Sequence, residues 1–318
     1  MNYFIDLLCP NCNSALSAGS GSLVCQECTT SVPIISGIPR FVPPGNYSES
    51  FGLQWNRFAK TQLDSAQGTN RSRQRFETET SWASQDLKDK IVLDAGCGSG
   101  RFSEIAISHG AKLIAVDYSN AVEAANKNLK SDKLLVLQGD LIALPILDQC
   151  LDYVYCIGVL QHTSHPDKII AELLRCLRIG GELTLTFYEN TSWHVKFYSK
   201  YLIRPFTKRL PNSLLLTLIE ALAPIWFSVT NFLFRLPSPI SKIFRFVIPI
   251  ANYVEYDYPN RSCAIDEAIL DTFDMLSPTY DKPIKKSEIL KWIALSEFEV
   301  QVLGAIPTAG TMRFKRIS

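Results

Sequence analysis

The sequence lacks a dominant charge, an internal repeat and any low-complexity segment, and each absence excludes a class of protein. Its 32 basic and 31 acidic residues leave a net charge of +1, so the overall balance does not indicate a nucleic-acid-binding protein. Without repeats or heptads, the chain is neither a solenoid nor a coiled coil. A length of 318 residues suits one large domain with an accessory module.

The start of the chain also lacks a pattern typical of a secretory signal. The nine cysteines are therefore expected in a reducing compartment, as free thiols or metal ligands. The expected location is the cytoplasm, and residues 191–250, described below, leave peripheral membrane contact open. The sequence does not determine the oligomeric state.

Four of the cysteines form two C-x2-C pairs separated by twelve residues: Cys9 with Cys12, and Cys25 with Cys28. Four thiolates at such spacing suit a tetrahedral zinc ion. Disulfides and free thiols are the alternatives, although adjacent C-x2-C pairs make poor structural disulfides. A short segment with few large apolar residues needs such a cross-link to fold. The spacing predicts a structural zinc module over residues 1–44.

A glycine-rich stretch, Asp94-Ala-Gly-Cys-Gly-Ser-Gly100, lies between the apolar run 91–93 and a helix-like run 102–109. Gly96, Gly98 and Gly100 allow a backbone to approach a ligand closely, and a helix N-terminus offers free N–H groups. A plain tight turn is the alternative. The pattern predicts a nucleotide-binding loop.

Further strands alternate with helices, which predicts an α/β fold with a doubly wound, mostly parallel seven-stranded sheet. Their predicted ranges are 112–118, 134–137, 151–157, 181–188, 298–303 and 312–317, the last two as an antiparallel pair. Ligands bind beyond the carboxyl ends of such strands. Asp117 ends the second strand, where a carboxylate can accept hydrogen bonds from a ribose.

These motifs together resemble the class I methyltransferases that use S-adenosylmethionine. The glycine loop resembles their first motif, Asp117 the second, and Gly139-Asp140-Leu141 the third. Residues 152–162 and Gly180-Gly181 are similar to the small-molecule type 11 branch, so the resemblance covers about residues 90–190. A dinucleotide fingerprint would instead have the spacing G-x-G-x-x-G. Residues 32–39 resemble small zinc-ribbon proteins that accompany some methyltransferases.

The resemblance implies cofactor contacts residue by residue. Asp94 and the backbone of Gly96, Gly98 and Gly100 would hold the methionine part, and a helical segment within 46–88 would fold over the cofactor. The other implied contacts are Asp117 with the ribose, Tyr118, Asp140 and Leu141 with the adenine, and Ile157 beside the sulfonium.

His162 is the best candidate for a general base, because it follows the fourth strand at the active edge of the sheet. Tyr188, Glu189 and His194 are further candidates. The alternative role for His162 is to cap a turn or position the substrate.

Residues 191–250 carry eight basic residues and one acid, Glu220, for a net charge of +7. The apolar run 210–234 approaches a membrane span in length, but Glu220, Pro224 and a polar stripe argue against spanning. Pro224 is expected to break or kink the helix. A buried lid, an interfacial membrane helix and a dimer surface remain open, with Arg204, Lys208 and Arg209 as predicted phosphate ligands.

The sequence thus predicts a zinc module (1–44) followed by a class I methyltransferase domain (45–318) with a helical insert (191–260). The expected activity is O-methylation of a glycan, lipid-linked or secondary-metabolite precursor. The alternatives are an rRNA guanine methyltransferase, since some of those also begin with a four-ligand zinc finger, and a catalytically silent cofactor-binding partner subunit. A small-molecule or lipid-linked acceptor is expected, and nucleic acid is not. A polar loop is predicted over 271–281, and a helix over 287–295 with Ser287 as its N-cap.

Overall fold

The computed structural model describes residues 3–43, 45, 47–190, 197–304 and 308–318. The N-terminal part is a small antiparallel sheet that orders its strands as they occur in the chain. Its strands are β1 (Leu16–Ala18), β2 (Ser22–Cys25), β3 (Ser31–Ile35) and β4 (Ile38–Pro39). Leu23 and Val32 of this sheet are buried in the same apolar core as the large domain. The N-terminal segment is therefore packed onto the domain.

A seven-stranded sheet forms the centre of the large domain, and it confirms the predicted fold class. Its strands are β5 (Ile91–Ala95), β6 (Lys112–Asp117), β7 (Leu134–Gln138), β8 (Leu151–Ile157), β9 (Leu177–Thr186), β10 (Val300–Val302) and β11 (Thr311–Arg316). The strand order is β10-β11-β9-β8-β5-β6-β7. Strands β5 to β9 are parallel to one another, and β11 pairs with β9 in the antiparallel direction. The order reverses beside β5, which places a ligand-binding crevice at its carboxyl end.

Helices cover both faces of this sheet. They are α1 (Glu49–Arg57), α2 (Asp64–Gln67), α3 (Arg71–Thr80), α4 (Ser84–Leu87), α5 (Arg101–Ser108), α6 (Val122–Asn128), α7 (Pro166–Cys176), α8 (Ser199–Thr207), α9 (Asn212–Leu233), α10 (Ile240–Val247), α11 (Arg261–Leu276) and α12 (Lys286–Ala294). One apolar core holds Leu173 of α7 and Ile289 of α12, and another holds Phe76 of α3 and Ile105 of α5. The sheet is thus buried on both sides, as its near-continuous apolar strands require.

The N-terminal sheet covers the free edge of the large one. Leu7 bridges Ile146, and the Phe41 N–H donates to the Gln138 carbonyl at the end of β7 (2.7 Å). Arg40 donates to the Gln138 side chain (2.9 Å) and also pairs with Glu123. These contacts satisfy backbone groups that an edge strand would otherwise expose.

Two predictions in the second half of the chain are corrected, one for Pro224 and one for the loop 271–281. Helix α9 runs without interruption through Pro224, because Leu216, Ile219, Ala223 and Phe227 are buried on both sides of the proline. Packing against neighbouring helices therefore outweighs the missing backbone hydrogen bond. The predicted loop over 271–281 is wrong in its first half, which is the last part of α11.

Two further boundaries differ from the predictions. Strand β9 begins at Leu177 and not at residue 181, so Gly180 and Gly181 both lie inside the strand. Helix α12 begins after Lys285, whose N–H donates to the Glu288 carboxylate (2.9 Å), so Ser287 is not the N-cap.

Candidate active site

The glycine loop connects β5 to α5 at the point where the strand order reverses. Gly96 adopts φ = +88°, and a Cβ there would lie 2.4 Å from a methyl group of Val159, so only glycine fits. The N–H groups of Gly96 and Cys97 both donate to the Val116 carbonyl (2.8 and 2.9 Å). The loop is therefore fixed to the end of β6.

Asp117 at the end of β6 holds the loop from the other side. One carboxylate oxygen accepts from the Gly98 N–H (2.9 Å), and the other accepts from the Ser119 N–H and hydroxyl (2.8 and 2.7 Å). Burial raises the pKa of Asp117. The oxygen that accepts from Gly98 keeps a second lone-pair direction for a ligand hydroxyl, because a carboxylate accepts about four hydrogen bonds, two on each oxygen.

A cavity of about 300 Å³ opens over this loop. The predicted residues that line it are Gly96, Gly98, Asp117, Tyr118, Asp140, Leu141, Ile157 and His162. Eight residues from four strand ends and their loops thus meet in one space. Asp94 and Gly100 are not in the lining, so their predicted direct contact with a cofactor has no counterpart in this geometry.

Asp94 lies beneath the loop instead. It is buried and accepts a hydrogen bond from the Ser103 hydroxyl of α5 (2.6 Å). Burial raises the pKa of Asp94 to about 7, against the Ser103 hydrogen bond, which lowers it. Gly100 is the N-cap of α5, and a Cβ there would lie 2.7 Å from Leu129. Both residues shape the loop from below.

The segment before and within α1 closes the cavity from above, as the family resemblance implied. Tyr47 stacks on Tyr118 with 5.1 Å between the ring centroids. The indole of Trp55 packs so closely on the loop that a Cβ at Gly98 would lie 3.1 Å from it. Ser99 Oγ and Gln54 Oε1 are buried at this cavity and have no hydrogen-bond partner within the described ranges. These unsatisfied atoms and the glycine cradle fit an adenosyl ligand with several polar groups.

His162 lies at the far end of the cavity, in a short turn (Leu160–His162) after β8. Its Nδ1 is 3.0 Å from the Tyr280 carbonyl, which can only accept, so Nδ1 carries a hydrogen. The neutral ring then has its lone pair on Nε2, which is 3.8 Å from an Asp274 carboxylate oxygen. The arrangement suits a base whose protonated form is stabilised by Asp274.

The sequence patterns did not reveal the acidic side of this cavity. Asp271 and Asp274 of α11 line it together with Tyr253. Burial, and then the neighbouring carboxylates of Glu267 and Asp274, raise the pKa of Asp271 to about 7. Glu267, Asp271 and Asp274 follow one another at steps of four and three residues, which places them on one face of α11. That spacing was the available signal.

The other predicted candidates are distributed differently. Tyr188 lines the cavity and its hydroxyl donates to Asp274 (3.4 Å). Glu189 accepts from the Gly310 N–H (2.8 Å), lies near Lys286 and is not in the cavity lining. His194 lies outside the described residues. Arg101 lines the cavity floor, where burial and then Arg75 lower its pKa to about 10.

The four cysteines predicted as metal ligands form one cluster. The Sγ atoms of Cys9, Cys12, Cys25 and Cys28 all lie within 4.8 Å of one another. Three of the Sγ–Sγ distances are 3.4–3.5 Å, near the spacing of about 3.8 Å that a tetrahedral zinc–thiolate site has. They are too long for disulfides.

Both C-x2-C turns have the same backbone geometry. Asn13 and Thr29, each directly after the second cysteine of its pair, adopt φ = +59° and +58°. Their N–H groups donate to the carbonyls of Cys9 and Cys25 (3.0 and 3.1 Å). The paired turns point all four thiols at one centre, which is compatible with a zinc site.

Comparisons with known proteins agree with this geometry. Residues 93–185 match the protein family described as a methyltransferase domain. This segment is similar to methyltransferase domains. It contains the glycine loop, Asp117, Asp140 and His162.

Named relatives match about a third of the chain. The ubiquinone biosynthesis O-methyltransferase of Coxiella burnetii is 31% identical over 115 residues, which cover 35% of this chain and 48% of that protein. The demethylmenaquinone methyltransferase of Thermobifida fusca is 34% identical over 118 residues, 36% of this chain and 50% of that protein. The chain thus spans about half the length of the curated relatives it matches. Among solved structures, phosphoethanolamine N-methyltransferase 1 of Haemonchus contortus is 19% identical, with a TM-score of 0.34 over 45% of this chain and 33% of that one.

The role of Asp117 leads to a first prediction. Asp117→Ala is expected to weaken S-adenosylhomocysteine binding by about 1–3 kcal/mol, because ligand hydroxyls lose their acceptor and the loop loses its anchor at Gly98. Calorimetry measures the change, and NAD should show no comparable binding. Asp132→Ala removes an exposed carboxylate and is the matched control. Equal affinity in the Asp117 variant and the wild type would refute the ribose assignment.

Proposed function

We propose that the chain transfers the methyl group of S-adenosylmethionine to a hydroxyl of a biosynthetic small molecule. One observation carries the proposal. A single cavity joins the glycine loop and Asp117 at one end to His162 and the acids of α11 at the other. A cofactor and an acceptor can therefore meet inside one enclosure.

The residues already described would hold the cofactor in one half of the cavity. Asp117 would bind the ribose, and Tyr118, Asp140 and Leu141 would surround the adenine. S-adenosylmethionine, when bound, supplies a sulfonium methyl group to a nucleophile. The chain's contribution is orientation, which is worth several kcal/mol in such reactions.

The acceptor half offers a base and hydrogen-bonding groups. His162 would take the proton of an acceptor hydroxyl on Nε2, and Asp274 would stabilise the resulting imidazolium. Tyr188 and Tyr253 line the same end of the cavity and can hold further oxygen atoms of the acceptor. A general base beside these two hydroxyl groups supports O-methylation more directly than methylation of a planar amino group.

The named relatives support the same reaction at a coarse level. The Coxiella burnetii relative is a ubiquinone biosynthesis O-methyltransferase. Their identity to this chain is limited to about a third of its length, so the acceptor is proposed only as a class. A glycan, lipid-linked or secondary-metabolite precursor belongs to that class.

Labelled methyl transfer tests the proposal. The protein is incubated with S-adenosylmethionine carrying a heavy methyl group and with metabolite and lipid extracts from its source. A product heavier by one labelled methyl on oxygen, released by ether cleavage, is the expected result. A label in rRNA would instead favour the rRNA guanine methyltransferase. Cofactor binding without any labelled product from extracts or added RNA would favour the silent partner subunit.

A further inference from the structure

Three consecutive helices of the insert present an exposed apolar surface, called here the insert face. On α9 the exposed residues follow steps of three and four, so they lie on one side of the helix: Leu214, Leu218, Leu222, Ile225, Val229 and Phe232. The exposed fractions of Ile225 and Phe232 are 67% and 68%. A large apolar patch of this kind marks a binding surface in a stable protein.

The two neighbouring helices extend the insert face. Leu202 and Phe206 are exposed on α8, and Phe206 reaches 71% exposure. Ile240, Ile243 and Val247 are exposed on α10, again at steps of three and four residues. Exposed apolar side chains therefore occur on all three helices, not on α9 alone.

The opposite side of α9 is fixed to the domain. Leu215, Leu216 and Ile219 are buried in a core shared with Phe273 of α11. Glu220 pairs with Arg57 of α1 (3.0 Å). Among the described helices, α9 alone is long and apolar enough to cross a membrane, but only 33% of its apolar window is buried, and that part holds the helix down. Crossing a bilayer would break this core, so α9 is suited to lie on a membrane.

Unpaired basic residues flank the helices of the insert face. Lys208 and Arg209 precede α9, Arg235 follows it, and Lys242 lies in α10. All four are exposed, and none has an ion pair within the described part of the chain. Helix α9 is about 33 Å long, so basic side chains stand at both of its ends. An apolar surface between unpaired cations complements an anionic lipid headgroup layer.

Other cations of the insert are already engaged. Arg204 is buried and donates to the carbonyls of Met275 and Pro278 (2.9 and 2.8 Å). Lys200 pairs with the buried Asp281 (3.1 Å). Arg204 is thus unavailable as the predicted phosphate ligand, because its guanidinium holds α8 against α11.

We propose that the insert face docks α8, α9 and α10 in the plane of an anionic membrane surface. The inner sides of α8 and α9 contact α11, whose Asp271 and Asp274 line the cavity. Docking would bring the acceptor end of the cavity close to the lipid phase. The proposal concerns the surface alone and holds whether or not the acceptor is lipid-linked.

Vesicle co-sedimentation of the full chain tests the proposal. Binding is expected to vesicles of phosphatidylcholine mixed with phosphatidylglycerol, and not to phosphatidylcholine alone. It should weaken strongly at about 0.5 M salt, where screening shortens electrostatic interactions to a few ångströms. Alkaline carbonate should release the bound protein, because an in-plane helix does not span the bilayer.

Two double variants separate the apolar and charged contributions. Ile225→Gln with Phe232→Gln should abolish binding, whereas Ile179→Gln with Leu295→Gln, exposed apolar residues elsewhere in the chain, should not. Lys208→Gln with Arg209→Gln should weaken binding about 25-fold, at about fivefold per cation. Lys168→Gln with Lys291→Gln is the matched control. Calorimetry with S-adenosylhomocysteine verifies that each variant is folded.

Three results would overturn the proposal. One is equal binding by the insert-face variant and its control. Another is a monomer that binds no vesicles. The third is a dimer in light scattering that the Ile225 and Phe232 substitutions dissociate without any vesicle binding, which would assign the insert face to a second copy of the chain.

Discussion

Removal of zinc is expected to unfold the N-terminal sheet and to expose the β7 edge of the large one. Metal analysis should find about one zinc per chain, and Cys9→Ser or Cys25→Ser should abolish it. Structural zinc sites contribute about 10–16 kcal/mol of binding free energy, which the segment gains on folding. Hydrogen exchange should therefore show loss of protection over residues 7–41 after chelation.

The cofactor cavity should respond as well, because Tyr47 and Trp55 follow the sheet directly in the chain. We expect weaker S-adenosylhomocysteine binding in the Cys9 and Cys25 variants. Cys263→Ser lies in α11, away from the cluster, and serves as the control. Metal-free protein that keeps full protection over residues 7–41 would exclude a structural zinc site.

His162→Gln is expected to lower kcat by about 10²–10⁴-fold, the usual contribution of a positioned general base. Glutamine keeps a polar group of similar size but cannot take the proton. S-adenosylhomocysteine affinity should stay unchanged, because His162 lies at the acceptor end. The acceptor identified from the labelled product is then used in a single-turnover experiment, which measures the rate of methyl transfer directly.

Two variants complete this experiment. Asp274→Asn should cause a smaller loss of kcat, because it removes only the charge that stabilises the imidazolium. His165→Gln, at the exposed N-cap of α7 three residues further on, should be as active as the wild type. If kcat is unchanged in His162→Gln, His162 is not the general base. Its role would then be to position the backbone at Tyr280.

The sheet and the cofactor end of the cavity were predictable because they depend on local sequence. Apolar runs ended by Asp117 and Asp140 define strands and their carboxyl ends, and Gly96 is required by a backbone conformation. Each of these signals lies within a few residues of the feature it predicts.

The acceptor end was less predictable because long-range packing builds it. Asp271 and Asp274 come from α11, more than a hundred residues after His162, and only the folded chain brings them together. Arg204 looked like a free surface cation, yet distant carbonyl groups bury it. Pro224 looked like a helix break, but α9 continues through it over the buried core beneath. Tertiary contacts override local propensity at all three places.

During synthesis, the N-terminal sheet leaves the ribosome well before the strand that it contacts. Its cysteines span only nineteen residues, whereas Arg40 contacts Gln138, ninety-eight residues later. At about 5–20 residues per second, the ribosome needs several seconds to deliver that partner. The cysteine cluster can therefore bind a metal before β7, the strand that the N-terminal sheet contacts, has left the ribosome. A nascent chain whose cysteine cluster binds a metal at that stage would present a folded surface to β7, and the large sheet would gain its edge cover as soon as that strand emerges.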